Sequence, residues 1–161
     1  MSIAQREVDE RPSPDDVYLR AARLLGVGNR FARPKSRLAI HKYLSDGLPG
    51  TSITNLRRHF HASIDESVFA QALGMSTRTV QRLKADEGKH LNSEQSSRVW
   101  KLAEILARAT SVLGTQKAAE EWLGTPARAL QGEKPIELLT TQTGTQVVED
   151  LLEQMDYGVY V

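Results

Sequence analysis

The segment FAQALGMSTRTVQRL, residues 69–83, decides the fold because it joins two short helical patterns through a glycine. Ala70 is small enough for a second helix to cross closely, and Gly74 tolerates the positive φ that a turn of three or four residues requires. Ser76 stands where it would cap the second helix. The residues expected to face the interior are Phe69, Leu73, Met75, Val80 and Leu83. These features predict a helix-turn-helix, with a plain helical hairpin as the alternative.

The second predicted helix presents polar and basic side chains away from that interior. Arginine pairs bidentately with guanine and glutamine with adenine in the major groove, so Arg78, Gln81 and Arg82 are the expected base readers. Ser76 and Thr79 are better placed for phosphates. The predicted DNA-binding residues are Ser76, Thr77, Arg78, Thr79, Gln81, Arg82 and Lys84. Because such motifs usually act as two-fold dimers, a homodimer on operator DNA is expected.

The remainder of the chain shows helical periodicity and no alternating strand pattern, so the fold is predicted to be all-α. Helices are expected over about 15–25, 36–45, 51–60, 65–73, 76–85, 94–113, 115–123 and 145–155, with short helices starting at Pro126 and Pro135. The predicted capping residues are Ser36, Asp65, Ser76, Ser93 and Thr115. Residues 1–35 are expected to form a mobile arm and a short helix, ahead of a helix-turn-helix domain at 36–91 and a second helical domain at 92–161.

The charge distribution separates the two halves, although the net charge is only +1. Residues 1–90 hold 15 Lys and Arg against 10 Asp and Glu, whereas residues 91–161 hold 6 against 10. A basic front and an acidic back indicate two surfaces with different partners, and chance unevenness is the alternative. The basic stretch from Arg30 to Lys42 would add phosphate contacts, or would only be a solvated helix start.

Composition and motifs argue against catalysis and against metal or cofactor binding. The chain has no cysteine, which excludes disulfides and thiolate sites. His59 and His61 are two residues apart and would not share a helical face. Gly26 and Gly28 follow no strand, as a dinucleotide site would need. With no long apolar run and no signal-like start, the protein is expected to be cytoplasmic and not to associate with membranes.

Several motifs in order resemble those of Xre-type antitoxins from RES–Xre toxin–antitoxin modules, a family also described as Xre/MbcA/ParS-like. The resemblance covers about residues 36–161. It rests on GLP at 47–49, STRTVQRLK at 76–84, LNSEQSSRVWKLAEILARA at 91–109, AAEEWL at 118–123, PIELL at 135–139, TQTG at 141–144 and YGVY at 157–160. The chain departs from the family pattern at 125–132, where Asn-Pro is missing and Gln131 replaces a common glycine.

The resemblance implies a dual role. The front half would bind the operator of its own operon, and the back half would bind and inhibit a RES toxin that consumes NAD⁺. The last helix and the C-terminal tail would enter the active-site cleft of that toxin. The toxin-binding residues so implied are Glu149, Glu153, Asp156, Tyr157, Gly158, Val159, Tyr160 and Val161. The nearby acid Asp150 belongs to the same charged run.

The residues themselves leave alternatives open. Aromatic side chains at a projecting end make good interface anchors, which favours partner binding by Tyr157 and Tyr160. The same tail would instead fold back onto its own core. A stand-alone repressor with a dimerising or ligand-sensing C-terminal domain is the second alternative, and a protein-binding adaptor that never meets DNA is the third.

Overall fold

The computed structural model describes residues 13–29, 36–60, 64–86 and 88–158. The helices are α1 (Pro14–Leu24), α2 (Arg37–Asp46), α3 (Thr51–Arg57), α4 (Glu66–Ala72), α5 (Thr77–Ala85), α6 (Ser93–Leu113), α7 (Gln116–Leu123), α8 (Pro135–Leu138) and α9 (Gln142–Asp156). A 3-10 turn at Arg128–Leu130 lies between α7 and α8. Within the described ranges no strand forms, and Pro49 and His90 make an isolated bridge. The all-α prediction is confirmed.

Local sequence signals explain where most of these helices begin. The predicted caps Ser36, Asp65, Ser76 and Thr115 each accept a hydrogen bond from the backbone N–H three residues later. Such caps satisfy one of the four unpaired N–H groups at a helix start. Helix α1 has a reciprocal capping box between Ser13 and Asp16. Proline occupies the first position of α8, as predicted.

Three predicted helix starts were wrong, the first two of them at α6 and at Pro126. Helix α6 is capped by Asn92 rather than by Ser93, because Gln95 completes a capping box with Asn92. The prediction that Pro126 opens a short helix also fails. Ala127 is held extended there, since its N–H donates to Glu133 and its carbonyl accepts from the N–H of Gly132. The short helix therefore begins only at Arg128, two residues after the proline, and it is a 3-10 turn.

The start of the last helix was predicted about three residues too late. Helix α9 begins at Gln142, with the Thr141 hydroxyl accepting from the N–H of Gly144 at 2.9 Å. A side-chain carbon at Gly144 would collide with the carbonyl of Leu138 at the end of α8. The glycine thus permits close approach of α8 and α9, a contact that the sequence prediction did not include.

Helix α6 is the centre of the molecule, and it contacts α1, α2, α3, α7 and α9. Its buried side chains include Val99, Trp100, Leu102, Leu106 and Ala109. They belong to one hydrophobic cluster that runs from Val17 in α1 to Leu152 in α9. The described core is therefore continuous across residue 91, and the division into two domains stays a prediction. The predicted mobile arm lies mostly outside the described residues.

Candidate functional site

The turn between α4 and α5 has the geometry that the sequence predicts. Gly74 has φ +65°, a left-handed conformation that glycine adopts without strain. Ala70 is buried beneath it, and its carbonyl accepts the N–H of Met75 at 3.0 Å. Phe69, Leu73, Val80 and Leu83 are also buried, and Met75 is partly buried against the same core. The helix-turn-helix is thus present, and its interior residues were correctly predicted.

A second contact fixes the far end of α5 against α3. Gly50, at the start of α3, lies so close that a side-chain carbon there would be 2.8 Å from the carbonyl oxygen of Leu83. The N–H of Gly50 donates to the carbonyl of Lys89 at 2.8 Å. The N–H of Leu91 donates to the carbonyl of Leu48, also at 2.8 Å. The 47–50 loop therefore holds α5 at its C-terminal end, while the turn holds its N-terminal end.

The exposed face of α5 brings three of the predicted DNA-binding residues together. Arg78, Gln81 and Arg82 are exposed and lie at i, i+3 and i+4, which places them on one side of the helix. Thr77 is half-buried on the flank. Lys84 is also half-buried, and its Nζ lies 4.0 Å from Oε1 of Glu66, so it projects toward α4 rather than along the exposed stripe.

The two residues predicted to contact phosphates are coupled to each other. Ser76 Oγ accepts the N–H of Thr79 at 3.1 Å, and the Ser76 hydroxyl donates to Oγ1 of Thr79 at 2.9 Å. Because Ser76 is committed to the cap, Thr79 has the hydroxyl better placed for an outside partner. Sequence reasoning did not separate these two roles.

Arg57 is a structural anchor that sequence reasoning missed. Its Nε donates to Oε1 of Glu66 at 2.9 Å, and its two terminal nitrogens donate to the carbonyls of Phe60 and Ile64 at 2.9 and 2.8 Å. The guanidinium carbon also lies 5.3 Å from the centre of the Phe69 ring. Arg57 therefore fixes the approach to α4 and so the position of the reading helix. In sequence it appears as one of many surface arginines.

The solvent face of α9 is the second candidate surface, and it has the opposite charge. Helix α9 contains four acids and no Lys or Arg. The residues that share its outward stripe and are exposed are Thr143, Gln146, Val147, Asp150, Glu153, Gln154 and Tyr157. Val147 and Tyr157 are among the most exposed large hydrophobic residues of the described chain. The stripe thus has its carboxylates between two exposed apolar side chains.

The structure places the predicted partner-binding residues of α9 in different settings. Glu153, Asp156 and Tyr157 are exposed, and Gly158 ends the helix with φ +74°. Glu149 instead turns inward, where its Oε1 lies 2.8 Å from Nζ of Lys101 and its side chain is only 15% exposed. Val159, Tyr160 and Val161 lie outside the described residues. Glu149 docks α9 onto α6, which sequence reasoning did not anticipate.

A groove of about 520 Å³ between α2, α6 and α9 contains further charged residues. Glu104 is buried there, with Lys101 at 3.6 Å and Arg108 at 3.5 Å. Arg37 donates to the Tyr18 hydroxyl at 3.2 Å, and this bond raises the pKa of the guanidinium above its ordinary value. The basic and acidic side chains of the groove largely neutralise one another. Their ion pairs hold the helices together, and the groove lacks the single sign of charge that is typical of a site for an ionic ligand.

The described residues form neither a metal site nor a membrane span. No cluster of three or more histidine, aspartate or glutamate side chains is arranged to hold a metal ion in the part of the chain that the structure describes. None of its described helices combines the length and the apolar character that crossing a bilayer requires.

Comparison with known protein families matches two domains of one antitoxin family, one containing each candidate surface. Residues 39–104 match the antitoxin Xre-like helix-turn-helix domain, which contains α5. Residues 108–158 match the antitoxin Xre/MbcA/ParS C-terminal toxin-binding domain, which contains α9. The two matches together cover the fold from α2 onward.

Curated relatives agree with these assignments. An "Antitoxin Xre" of Pseudomonas putida is 31% identical over 124 residues, covering 76% of this chain and 74% of that protein. An "Antitoxin Xre" of Yersinia enterocolitica is 30% identical over 103 residues, covering 63% of this chain and 69% of that protein. A "Prs ADP-ribosylating antitoxin" of a Sphingobium species is 30% identical over 139 residues, covering 80% and 83%.

Proposed function

The chain belongs to the Xre/MbcA/ParS antitoxin family, and we propose that it neutralises a RES-type, NAD⁺-consuming toxin while repressing its own operon. In this proposal it acts in the cytoplasm as a homodimer and catalyses no reaction. The observation that carries the proposal is that each matched domain contains one charged helix, basic α5 in the first and acidic α9 in the second. Each helix has a buried apolar face and an exposed polar face that suits one of the two partners.

The toxin side rests on α9 and on the chain that follows it. An acidic stripe with flanking apolar side chains suits a basic cleft rim with adjoining apolar pockets, because charge complementarity orients partners and aromatic anchors supply affinity. We propose that Asp150, Glu153, Asp156 and Tyr157 contact the toxin. Gly158, Val159, Tyr160 and Val161 would continue into its active-site cleft and exclude the nucleotide.

The class of toxin is supported by the name of one relative. The name of the Sphingobium relative refers to ADP-ribosylation of Prs, a transfer for which NAD⁺ is the donor. A RES-type toxin that destroys NAD⁺ and one that transfers ADP-ribose both need a cleft for the dinucleotide. Occlusion of that cleft would neutralise either, and cellular NAD⁺ and protein ADP-ribosylation can be measured separately to tell them apart.

The DNA side rests on the exposed stripe of α5. Arg78, Gln81 and Arg82 are positioned to enter a major groove and to read base edges, while Thr79 contacts a phosphate. Binding to the upstream region of its own gene would then block transcription. A stand-alone repressor is the second candidate, because a helix-turn-helix also occurs in proteins whose other domain only dimerises.

Co-expression with the toxin encoded beside it tests the proposal. We expect the native chain to restore cell survival and to copurify with the toxin. The double variant Asp150→Lys/Glu153→Lys and a deletion of residues 157–161 should both abolish protection. Arg78→Ala should still protect, yet it should derepress a reporter placed under the operon's own promoter.

A matched control separates the proposed surface from a general charge effect. Glu133 and Glu137 are exposed, and they belong to α8 and the segment before it rather than to α9. The variant Glu133→Lys/Glu137→Lys makes the same change in net charge and should protect fully. Protection by the 157–161 deletion would refute the occlusion mechanism. If the product of the neighbouring gene is harmless and does not bind this chain, only the function as a repressor remains.

A further inference from the structure

Arg98 lies directly against the turn of the helix-turn-helix, although it belongs to the following helix, α6. A side-chain carbon on Gly74 would be 2.5 Å from Nη1 of Arg98, so the guanidinium covers the backbone of the turn. Glycine at position 74 is favoured by its positive φ, and it also leaves room for this guanidinium. The placement brings a positive charge from a distant part of the sequence beside the first turn of α5.

The same guanidinium lines a groove of about 260 Å³ at the edge of the reading helix. Its lining includes Ser76 and Thr79 at the start of α5, and Asn92 and Gln95 at the start of α6. Thr79 Oγ1 already accepts the Ser76 hydroxyl, which leaves its own hydrogen for an acceptor. A cation and a hydroxyl donor therefore line a single groove next to the base-reading stripe.

We propose that Arg98 and Thr79 together bind a phosphate of the operator backbone in this groove. The inference rests on the proposed DNA-binding function and adds a contact outside the reading helix. Groups that flank a recognition helix meet the sugar-phosphate edges of the groove rather than the bases, and they set the register of the protein on DNA. Arg98 is suited to that role because a guanidinium donates two parallel hydrogen bonds to phosphate oxygens.

The ion pair that Arg98 makes does not commit it elsewhere. Nη2 of Arg98 lies 3.5 Å from Oε1 of Glu94, whose side chain is 78% exposed, and pairs as exposed as this contribute little. Glu94 also lines the groove and would repel a phosphate. The two residues are therefore expected to act in opposite directions, with Arg98 favouring DNA binding and Glu94 opposing it.

Fluorescence anisotropy with two labelled duplexes tests the proposal. One duplex carries the sequence upstream of the protein's own gene and the other a scrambled sequence of equal length, each titrated over a series of salt concentrations. Arg98→Gln should weaken binding to both duplexes by about tenfold, and it should lower the salt slope by about one for each phosphate that the variant no longer neutralises. Glu94→Gln should strengthen binding to both duplexes.

Further variants separate a phosphate contact from a purely structural one. Arg98→Lys keeps the charge and should recover most of the affinity and the salt slope, whereas a merely structural role would make it as weak as Arg98→Gln. Arg78→Ala should weaken binding to the upstream duplex only. The thermal unfolding midpoint of each variant shows that it is folded.

The outcomes distinguish this inference from the function on which it rests. If the native chain binds neither duplex, the DNA-binding part of the proposed function fails and the inference fails with it. If the native chain binds and Arg98→Gln leaves affinity and salt slope unchanged, Arg98 does not contact phosphate and the proposed function stands. Weakening on the upstream duplex alone would assign Arg98 to base recognition and would also overturn the proposal.

Discussion

Helices α5 and α9 are both amphipathic, but their exposed faces have opposite charge. Each buries an apolar stripe, Val80 and Leu83 in α5 and Val148 and Leu152 in α9, and exposes a polar one. Residues 76–85 carry three cations and no acid, while residues 142–156 carry four acids and no cation. Because like charge repels and phosphate is negative, α5 suits DNA and α9 does not.

The two helices differ in how their positions are fixed. Helix α5 is held at its N-terminal end by neighbours in sequence, the Gly74 turn and the Ser76 cap, and at its C-terminal end by the 47–50 loop. Helix α9 is docked by a partner far away in sequence, since Glu149 meets Lys101 across 48 residues. The start of α5 is therefore specified locally, whereas the docking of α9 depends on a distant part of the chain.

The first prediction concerns stability and asks whether α5 and α9 unfold together. Leu83 in α5 and Leu152 in α9 are both buried in the same hydrophobic cluster. Truncating either to alanine should reduce the free energy of unfolding by about 2–5 kcal/mol, from the smaller transfer energy and the cavity left behind. Because the core is continuous, both variants should lower one common transition in chemical denaturation followed by circular dichroism. Two separable transitions, each moved by one variant only, would show that α5 and α9 belong to independent units.

Sequence reasoning succeeded where the constraints are local. The turn from 69 to 83 requires particular residue types at short spacing, so its inner residues and its exposed Arg78, Gln81 and Arg82 were readable without a structure. The caps at Ser36, Asp65 and Thr115 were readable for the same reason, since each bonds to a backbone group three residues away.

Sequence reasoning failed where a residue acts through a partner outside its own helix. Glu149 was grouped with the toxin-binding residues of α9, because nothing in its neighbourhood in sequence indicates Lys101. The last helix was predicted to start only at about Thr145, and the contact of Gly144 with the carbonyl of Leu138 was missed because Leu138 belongs to another helix. Arg57 gave no signal, since two of its acceptors are backbone carbonyls that only the folded chain assembles.

The second prediction compares the glycines that accompany the two helices. Gly74 before α5 and Gly158 after α9 both have positive φ, +65° and +74°. Gly74→Ala should cost about 1–2 kcal/mol from the left-handed backbone alone, with a further loss because Arg98 must move. Gly158→Ala meets the same backbone strain but has open space around it, so its cost should not exceed about 1–2 kcal/mol. Urea unfolding measures both, and an equal or larger loss for Gly158→Ala would contradict the local account of α5.

The last prediction concerns the ion pair that docks α9, and its effect should be the smallest. Nζ of Lys101 lies 2.8 Å from Oε1 of Glu149, with the lysine side chain 41% exposed and the glutamate 15%. A double-mutant cycle with Lys101→Gln and Glu149→Gln should give a coupling of about 0.5–1 kcal/mol, which added salt should reduce. If Glu149 serves docking alone, Glu149→Gln should leave toxin neutralisation nearly unchanged, unlike Glu153→Lys on the outward stripe. A strong loss of neutralisation with little coupling to Lys101 would instead place Glu149 at the toxin interface, and the division of α9 into a docking face and a binding face would have to be redrawn.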